Sequence, residues 1–137
     1  MILLTPQLHM ALRANANSRR AGEASGAAFD PAPVVKLFNP VGAATWLATE
    51  LDEDGDTLFG LADLGFGCPE LGSFSMSEIA SVRLPFGLGI ERDVAFETRI
   101  PISVWAEWAR RAGSILLAET LLRRAAETGS APELPPS

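Results

Sequence analysis

Cysteine, histidine and tyrosine are scarce in this chain of 137 residues, which contains one Cys, one His and no Tyr. The single cysteine, Cys68, excludes an internal disulfide and any zinc site built on paired cysteines, and a reducing, cytoplasmic setting fits. Catalysis by a Ser/His/Asp or Cys/His arrangement would require His9, which has no acid–base partner near it in the sequence. We therefore expect His9 to be a surface or helix-packing residue.

A basic leader and long apolar runs are also missing. The opening MILLTPQLHM has no Lys or Arg, and only the three apolar residues Ile2–Leu4 separate Met1 from Thr5-Pro6, which is too short for a signal peptide. No run approaches the ~18 apolar residues that a membrane span needs. We expect a soluble, cytoplasmic protein with no membrane association.

Basic residues are absent from the middle of the chain. Residues 37–82 contain eight Asp and Glu but no Lys or Arg, and the formal charge of the whole chain is −6. Such a segment repels nucleic-acid phosphates and attracts basic surfaces. One interpretation is a solvated acidic turn, and the functional interpretation is a docking patch for a basic protein. Direct binding of nucleic acid is disfavoured, because the sequence has no basic stripe and no recognition helix.

The order of the elements predicts an α+β fold, a small antiparallel sheet on a central hairpin at about 43–64 with N-terminal and C-terminal helices packed on it. Strands at 34–38, 43–51 and 57–64 and the turn signal Asp54-Gly55 indicate the hairpin. With Asp54 at the turn centre, residues of like parity share a face, and both faces are mostly apolar. We expect helices on one face, and another sheet layer, a loop or a second subunit on the other, so that a homodimer is one interpretation.

The two ends of the chain are predicted from caps and composition. Thr5-Pro6 indicates a helix that ends near Asn15, and the polar, alanine-rich stretch after it predicts a mobile loop at about 15–32. We expect one α+β domain over 1–113, followed by a C-terminal helix over 114–129 and a disordered tail over 130–137.

Later elements follow from capping and periodicity. Ser75 to Glu78 is a capping box that predicts a short helix. Alternation over 93–100 predicts a strand, and Ser103 is expected to cap a helix with an apolar stripe that includes Trp105.

The docking hypothesis assigns a partner surface to the hairpin. Its residues are an apolar anchor and five carboxylates: Trp46, Glu50, Asp52, Glu53, Asp54 and Asp56. The alternating acids do not match an EF-hand loop, because positions 6 and 12 counted from Asp52 are Thr57 and Asp63 rather than Gly and Glu. We predict no metal site and no cofactor.

The alternative is a small enzyme or ligand-binding domain with an acidic pocket. That pocket would contain Lys36, Asp63, Glu70 and Arg92, because converging carboxylates can do general acid–base work. Asp63 and Glu70 are more simply explained as backbone caps or as ion-pair partners of Lys36 and Arg92, and no catalytic residue is assigned. Cys68 has no basic residue within fourteen positions, so we expect a buried or partly buried cysteine rather than a reactive thiol.

Several short motifs occur together along the chain: Lys36-Leu37-Phe38, Thr45-Trp46-Leu47, Asp63-Leu64-Gly65, Pro69-Glu70-Leu71-Gly72 and Glu91-Arg92-Asp93. With the opening LLTPQL, they resemble the bacterial family of domain of unknown function 2958 (DUF2958) over roughly Leu3 to Gly113. The resemblance implies a small α+β domain often encoded on plasmids and integrative elements, near genes for anti-restriction proteins, DNA methylases and helicases. It implies no established catalytic residues, so none is carried over to this chain.

We therefore expect a non-enzymatic protein-interaction module of a mobile genetic element, an anti-defence inhibitor of the anti-restriction or anti-CRISPR type. Its acidic patch would dock on a basic protein such as a nucleic-acid enzyme and occlude a positively charged channel. The acidic pocket, and an accessory factor in plasmid DNA transfer, are the alternatives.

Overall fold

The first helix is longer than the sequence indicated. The computed structural model describes residues 1–26 and 28–129. Helix α1 spans Pro6–Ser25, and Thr5 Oγ1 accepts the N–H of Leu8 over 3.2 Å at its start. Gly26 ends the helix with a φ of 76°, in the left-handed region that glycine adopts without strain.

The predicted loop is therefore wrong over its first part. The start of the helix at Thr5-Pro6 is confirmed, but α1 continues past Asn15 to Ser25. The predicted disordered tail, 130–137, lies outside the described residues.

An antiparallel sheet of five strands forms the centre of the molecule. Its strands are β1 (Val35–Phe38), β2 (Thr45–Leu51), β3 (Thr57–Asp63), β4 (Glu70–Ser75) and β5 (Glu91–Arg92). The strand order is β4-β3-β2-β1-β5, with every pair antiparallel. The α+β class and the central hairpin are confirmed.

The hairpin contains a bulge that the parity argument did not anticipate. Between Thr45 and Ala48, partners on β3 follow the expected register, with Ala48 opposite Gly60. The register then shifts by one, so that Glu50 lies opposite Phe59 and Leu51 opposite Leu58. Leu51 therefore belongs to the opposite face from the one that simple alternation predicted.

Helices cover both faces of the sheet. One buried cluster joins Leu12 of α1 and Ile79 of α2 (Met76–Ser81) to one face of the sheet. The other joins the second face, including Leu47, to α3 (Ile102–Ala112) and α4 (Ile115–Thr128). Since α1 covers the face that was left for a further layer or a second subunit, the apolar surface that suggested a homodimer is buried within the chain.

Two later predictions have different outcomes. The capping box is confirmed, because Ser75 Oγ accepts the N–H of Glu78 over 3.2 Å at the start of α2. The predicted strand at 93–100 is wrong. Asp93 Oδ1 accepts the N–H of Ala95 over 3.0 Å, and Thr98 Oγ1 accepts the N–H of Ile100 over 3.1 Å. Short polar side chains that bond to the backbone two residues ahead favour turns over strands.

Helices α3 and α4, which follow this segment, pack on the second face of the sheet. Helix α3 follows Pro101, and Ser103 donates its N–H to Asp30 Oδ1 over 3.0 Å instead of capping the helix as predicted. Ser114 Oγ caps α4 by accepting the N–H of Leu117 over 3.0 Å. None of the helices in the described part of the chain is both long enough and apolar enough to cross a lipid bilayer.

Candidate functional site

The predicted acidic residues do gather at one end of the sheet. We call this surface the acidic end. It consists of Glu50, near the end of β2, and four acidic residues of the turn that joins β2 to β3: Asp52, Glu53, Asp54 and Asp56. Each carboxylate has a specific hydrogen-bond partner, and Asp52, Glu53 and Asp54 are also exposed to solvent.

Asp54 builds the turn itself. Its Oδ1 accepts the N–H groups of Asp56 and Thr57, each over 2.8 Å, and its Oδ2 accepts the hydroxyl of Thr57 over 2.6 Å. The Thr57 hydroxyl and these N–H groups lower the pKa of Asp54 below its usual value, because they bond to the charged form.

Asp56 joins the turn to the corner between β4 and α2. Its Oδ2 accepts the hydroxyl of Ser75 over 2.6 Å, and its Oδ1 accepts the N–H of Ser77 over 2.7 Å. The pKa of Asp56 is lowered, first by the Ser75 hydroxyl and then by the N–H of Ser77. Three elements of the fold therefore meet at this carboxylate.

Glu50 is buried and paired with α1. Arg19 Nε lies 2.7 Å from Glu50 Oε1, and the Glu50 side chain is 8% exposed. The Arg19 guanidinium also lies against two rings, 5.3 Å from the centroid of Phe29 and 5.5 Å from that of Phe59. The hydrogen bond to Glu50 raises the pKa of Arg19 above its usual value.

Asp52 and Glu53 are exposed members of the acidic end. Glu53 forms an exposed ion pair with Arg20, and this hydrogen bond lowers the pKa of Glu53. Asp52 is exposed and uses Oδ1 to accept the N–H of Glu53 over 2.8 Å. A groove of about 300 Å³ runs between this turn and α1, and Glu23 also lines it.

The predicted anchor is not at this surface. Trp46 is 8% exposed and belongs to the core cluster under α1. The aromatic side chains that do face solvent are Phe66, 82% exposed, and Phe86, 95% exposed. Phe86 has a φ of 64°, the only non-glycine residue with a positive φ in the described part of the chain. Both lie in glycine-containing turns, and that setting is the sequence signal that could have identified them.

The residues of the alternative pocket do not converge. Glu70 opens β4 and Arg92 lies on β5, the strands at opposite edges of the sheet. Strands are spaced ~4.8 Å apart, so these edges are separated by roughly 19 Å. Arg92 Nη1 instead donates to the carbonyls of Ile2 and Leu3, over 2.8 and 3.0 Å, and holds the N-terminal segment.

Asp63, the third of these residues, has a structural role. It is 1% exposed, its Oδ1 accepts the N–H of Gly65, and its Oδ2 accepts the N–H of Ile115, each over 2.9 Å. The carboxylate thus joins the end of β3 to the first turn of α4, where the helix dipole favours negative charge.

Lys36, the fourth, has two acidic partners. It is 7% exposed, and its Nζ lies 2.8 Å from Glu119 Oε1 and 3.5 Å from Asp93 Oδ2. Neither acid is among the residues that the pocket hypothesis named.

His9 and Cys68, the remaining residues considered for catalysis, are both exposed. His9 is exposed on α1, and Cys68 is exposed, contrary to the expectation of a buried or partly buried thiol. Within 1–26 and 28–129, no three His, Cys, Asp or Glu residues are grouped so that they could hold a metal ion.

Together these features define a small α+β domain with helices on both faces of one antiparallel sheet and an ordered acidic end. The chain belongs to the family described as "Protein of unknown function (DUF2958)", whose model matches residues 3–116. No curated protein and no solved structure matches the chain.

Proposed function

We propose that this protein is a non-enzymatic interaction module of a mobile genetic element, acting in the cytoplasm, and that its acidic end docks on a basic protein. The partner is a nucleic-acid enzyme of host defence, such as a restriction or CRISPR nuclease. The observation that carries the proposal is the ordered group of five carboxylates at one end of the sheet.

The charge of the acidic end supports docking. Glu50 and Glu53 are paired with arginines, but Asp52, Asp54 and Asp56 form no ion pair with a described residue. The pKa values of Asp54 and Asp56 are lowered, so both carry full negative charge at neutral pH. Their hydrogen bonds hold the charges in place before binding, which reduces the entropy lost on association.

The mechanism is occlusion. A nucleic-acid enzyme presents a channel of Lys and Arg side chains, and a fixed group of carboxylates complements that channel and steers association. A bound acidic end then blocks the phosphate backbone from the same cations. The interaction weakens as salt rises, because exposed charges are screened over about 8 Å at physiological ionic strength.

The test variant removes charge without removing structure. Asp52→Asn keeps an oxygen that accepts the N–H of Glu53, and Glu53→Gln removes only an exposed ion pair, a change that costs little stability because solvent screens such pairs. Glu50, Asp54 and Asp56 are left intact, because the fold uses them. The control, Glu70→Gln with Glu127→Gln, makes the same change in net charge at exposed positions outside the acidic end.

The measurement is affinity capture from the native host with wild type, D52N/E53Q and E70Q/E127Q, followed by binding of the purified partner at increasing salt. The proposal predicts a basic nucleic-acid enzyme that wild type and control retain and D52N/E53Q loses, and whose activity on DNA or RNA is inhibited by wild type. A partner bound equally by all three proteins, or one whose activity is unaffected, contradicts it. A partner of plasmid transfer, with no defence enzyme, would favour the accessory role instead.

A further inference from the structure

The two edges of the sheet differ in how far they are protected against further pairing. At one edge, β5 contains two residues, and the N–H of Arg92 on it already donates to Met1 Sδ over 3.2 Å. At the other edge, β4 has six residues, and its ladder to β3 has no bulge. Short strands, Lys, Pro and bulges are common means of protecting an edge, and β4 has none of them. Its single charged residue, Glu70, stands at its first position.

The backbone of β4 has outward-facing groups at Leu71 and Ser73. One step beyond the ladder, Met76 donates its N–H to the carbonyl of Asp56 over 2.8 Å. Bonded and non-bonded pairs alternate along an antiparallel ladder, so Phe74 also bonds to β3, whereas the N–H and C=O groups of Leu71 and Ser73 point away from it. Both residues are exposed, and no other described residue bonds to these groups. Another extended chain beside β4 would pair with them.

Opposite charges lie at the two ends of this edge, on one face of the sheet. Leu71 is paired with Leu61, whose side chain is in the cluster under α3, so Leu71 and Ser73 both face the side of α3. Beside Leu71, Arg110 of α3 lines a groove of about 360 Å³. Beside Ser73, Glu23 of α1 lines the groove already described at the acidic end.

Both charges are available to a partner. Arg110 and Glu23 are exposed, and neither lies within ion-pair distance of an opposite charge in the described part of the chain. Arg19 and Arg20, which line the groove with Glu23, are paired with acids of the hairpin. A strand with charges of one sign would be attracted at one end of the edge and repelled at the other. The edge therefore suits a partner with the same two charges in reverse order.

A second copy of the chain, related by a two-fold axis at Gly72, meets both requirements. The axis places Leu71 of each strand opposite Ser73 of the other, so the outward groups of both residues pair in the antiparallel manner. It also places Arg110 of each copy on the side of Glu23 of the other, on the same face. A Cβ at Gly72 would have no atom within 4 Å, so the edge is open where the axis passes.

We propose that the protein forms a homodimer through the free edge of β4, with ion pairs between Arg110 of each copy and Glu23 of the other. The two sheets become one continuous antiparallel sheet, and Leu71, 46% exposed in the single chain, is buried between the copies. This edge is distinct from the hairpin face that first suggested a homodimer, which α1 covers. The inference uses none of the five carboxylates of the acidic end, so it and the docking proposal can fail separately.

The first experiment exchanges the charges of the proposed ion pairs. Glu23→Arg gives a chain with a cation at both ends of the edge, and Arg110→Glu gives one with an anion at both ends. The matched controls, Glu127→Arg and Arg124→Glu, make the same changes at exposed positions on α4. The molar mass of wild type, of each variant and of an equimolar mixture of E23R with R110E is measured by sedimentation at several concentrations.

We expect wild type and both controls to be dimers, whereas E23R and R110E should each self-associate at least about 10-fold more weakly, because like charges then meet across the axis. The mixture should recover the dimer, because each cation of one variant then faces an anion of the other. An ion pair within one chain could not produce this recovery.

The second experiment follows single N–H groups by hydrogen exchange. Those of Leu71 and Ser73 are bonded across the axis in the dimer, so they should exchange at least about 10-fold more slowly in wild type than in E23R or R110E. The N–H of Phe74, which bonds to β3 within the chain, should exchange equally slowly in all of them and shows that the variants are folded.

Several results would overturn the proposal. A wild type that stays monomeric at every concentration is one, and a dimer that E23R and R110E leave intact, which would use another surface, is a second. A mixture of the two variants that stays monomeric contradicts the ion pairs between copies. Slow exchange at Leu71 and Ser73 in a monomeric chain would mean that its own residues cover the edge. Protection that arises only with a captured partner would assign the edge to a strand of that partner.

Discussion

Arg19 and Glu50 join the second half of α1 to the end of β2. Their ion pair, 2.7 Å from Nε to Oε1, is more buried at the carboxylate, whose side chain is 8% exposed, than at the guanidinium, at 33%. A carboxylate this buried depends on its cation, because removing one partner of a buried pair leaves an uncompensated charge.

We predict that Arg19→Met lowers the free energy of unfolding by about 2 kcal/mol. This value is below the usual range for fully buried pairs, since Arg19 retains solvent contact. Arg20→Met is the matched control, because it breaks the exposed pair with Glu53, which solvent screens, and should cost much less than Arg19→Met. Urea unfolding of both variants decides the matter, and equal losses would mean that the Glu50 pair contributes no more than a surface pair.

The same contacts explain why the length of α1 could not be predicted from its sequence. After Asn15 the chain is small and polar, with Gly22 inside the helix, and local propensity favours a loop. The helix is instead held by partners more than 30 residues away. Arg13 Nη1 donates to the carbonyl of Leu51 over 2.7 Å, and Asn15 Nδ2 donates to that of Thr49 over 2.9 Å.

Gly60 should be irreplaceable at the bulge of the hairpin. A Cβ at this position would collide with the carbonyl oxygen of Leu47, a backbone atom that cannot move without breaking the β2–β3 ladder. We predict that Gly60→Ala lowers the free energy of unfolding by about 3 kcal/mol or prevents folding.

Gly72 is the matched control for this substitution. It lies opposite Gly60 on β4, and a Cβ there would have no atom within 4 Å. Gly72→Ala should therefore change stability by no more than about 0.5 kcal/mol, and thermal unfolding compares the two. If both substitutions are tolerated, the close approach of β2 at Gly60 is not the constraint that the geometry indicates.

The hairpin shows which features sequence reasoning captures. The Asp54-Gly55 turn and the two β-prone runs are local signals, and they correctly located β2 and β3. The bulge after Ala48 is a property of the pairing and has no local signal, so the face of Leu51 was assigned incorrectly. The acidic end was found because its residues are contiguous. The separation of Glu70 and Arg92 depends on strand order, which the sequence does not reveal.

Asp63 should be important for stability rather than for catalysis. Asp63→Ala removes the acceptor of two backbone N–H groups, at Gly65 and Ile115, and we predict a loss of about 3 kcal/mol in the free energy of unfolding. Ser114→Ala, which removes the adjacent helix cap, should cost about 1 kcal/mol. Chemical denaturation of both variants tests this order. A smaller loss for Asp63→Ala than for Ser114→Ala would show that the buried carboxylate is not the main connection between β3 and α4.

Asp56 should make the stability of the protein depend on acid pH. Its pKa is below the usual 3.8 in the folded protein, first because of the Ser75 hydroxyl, so the unfolded chain binds its proton at higher pH than the folded one. The resulting stabilisation is complete above the unfolded pKa and is lost as pH falls through the folded pKa. We predict that Asp56→Asn is less stable than wild type at neutral pH but loses less of its remaining stability between about pH 5 and about pH 2. Urea midpoints across this range measure both effects, and Ser75→Ala should flatten the same slope because it removes the principal donor. If Asp56→Asn and wild type lose stability in parallel as the pH falls, protonation of Asp56 does not contribute to the loss of stability in acid.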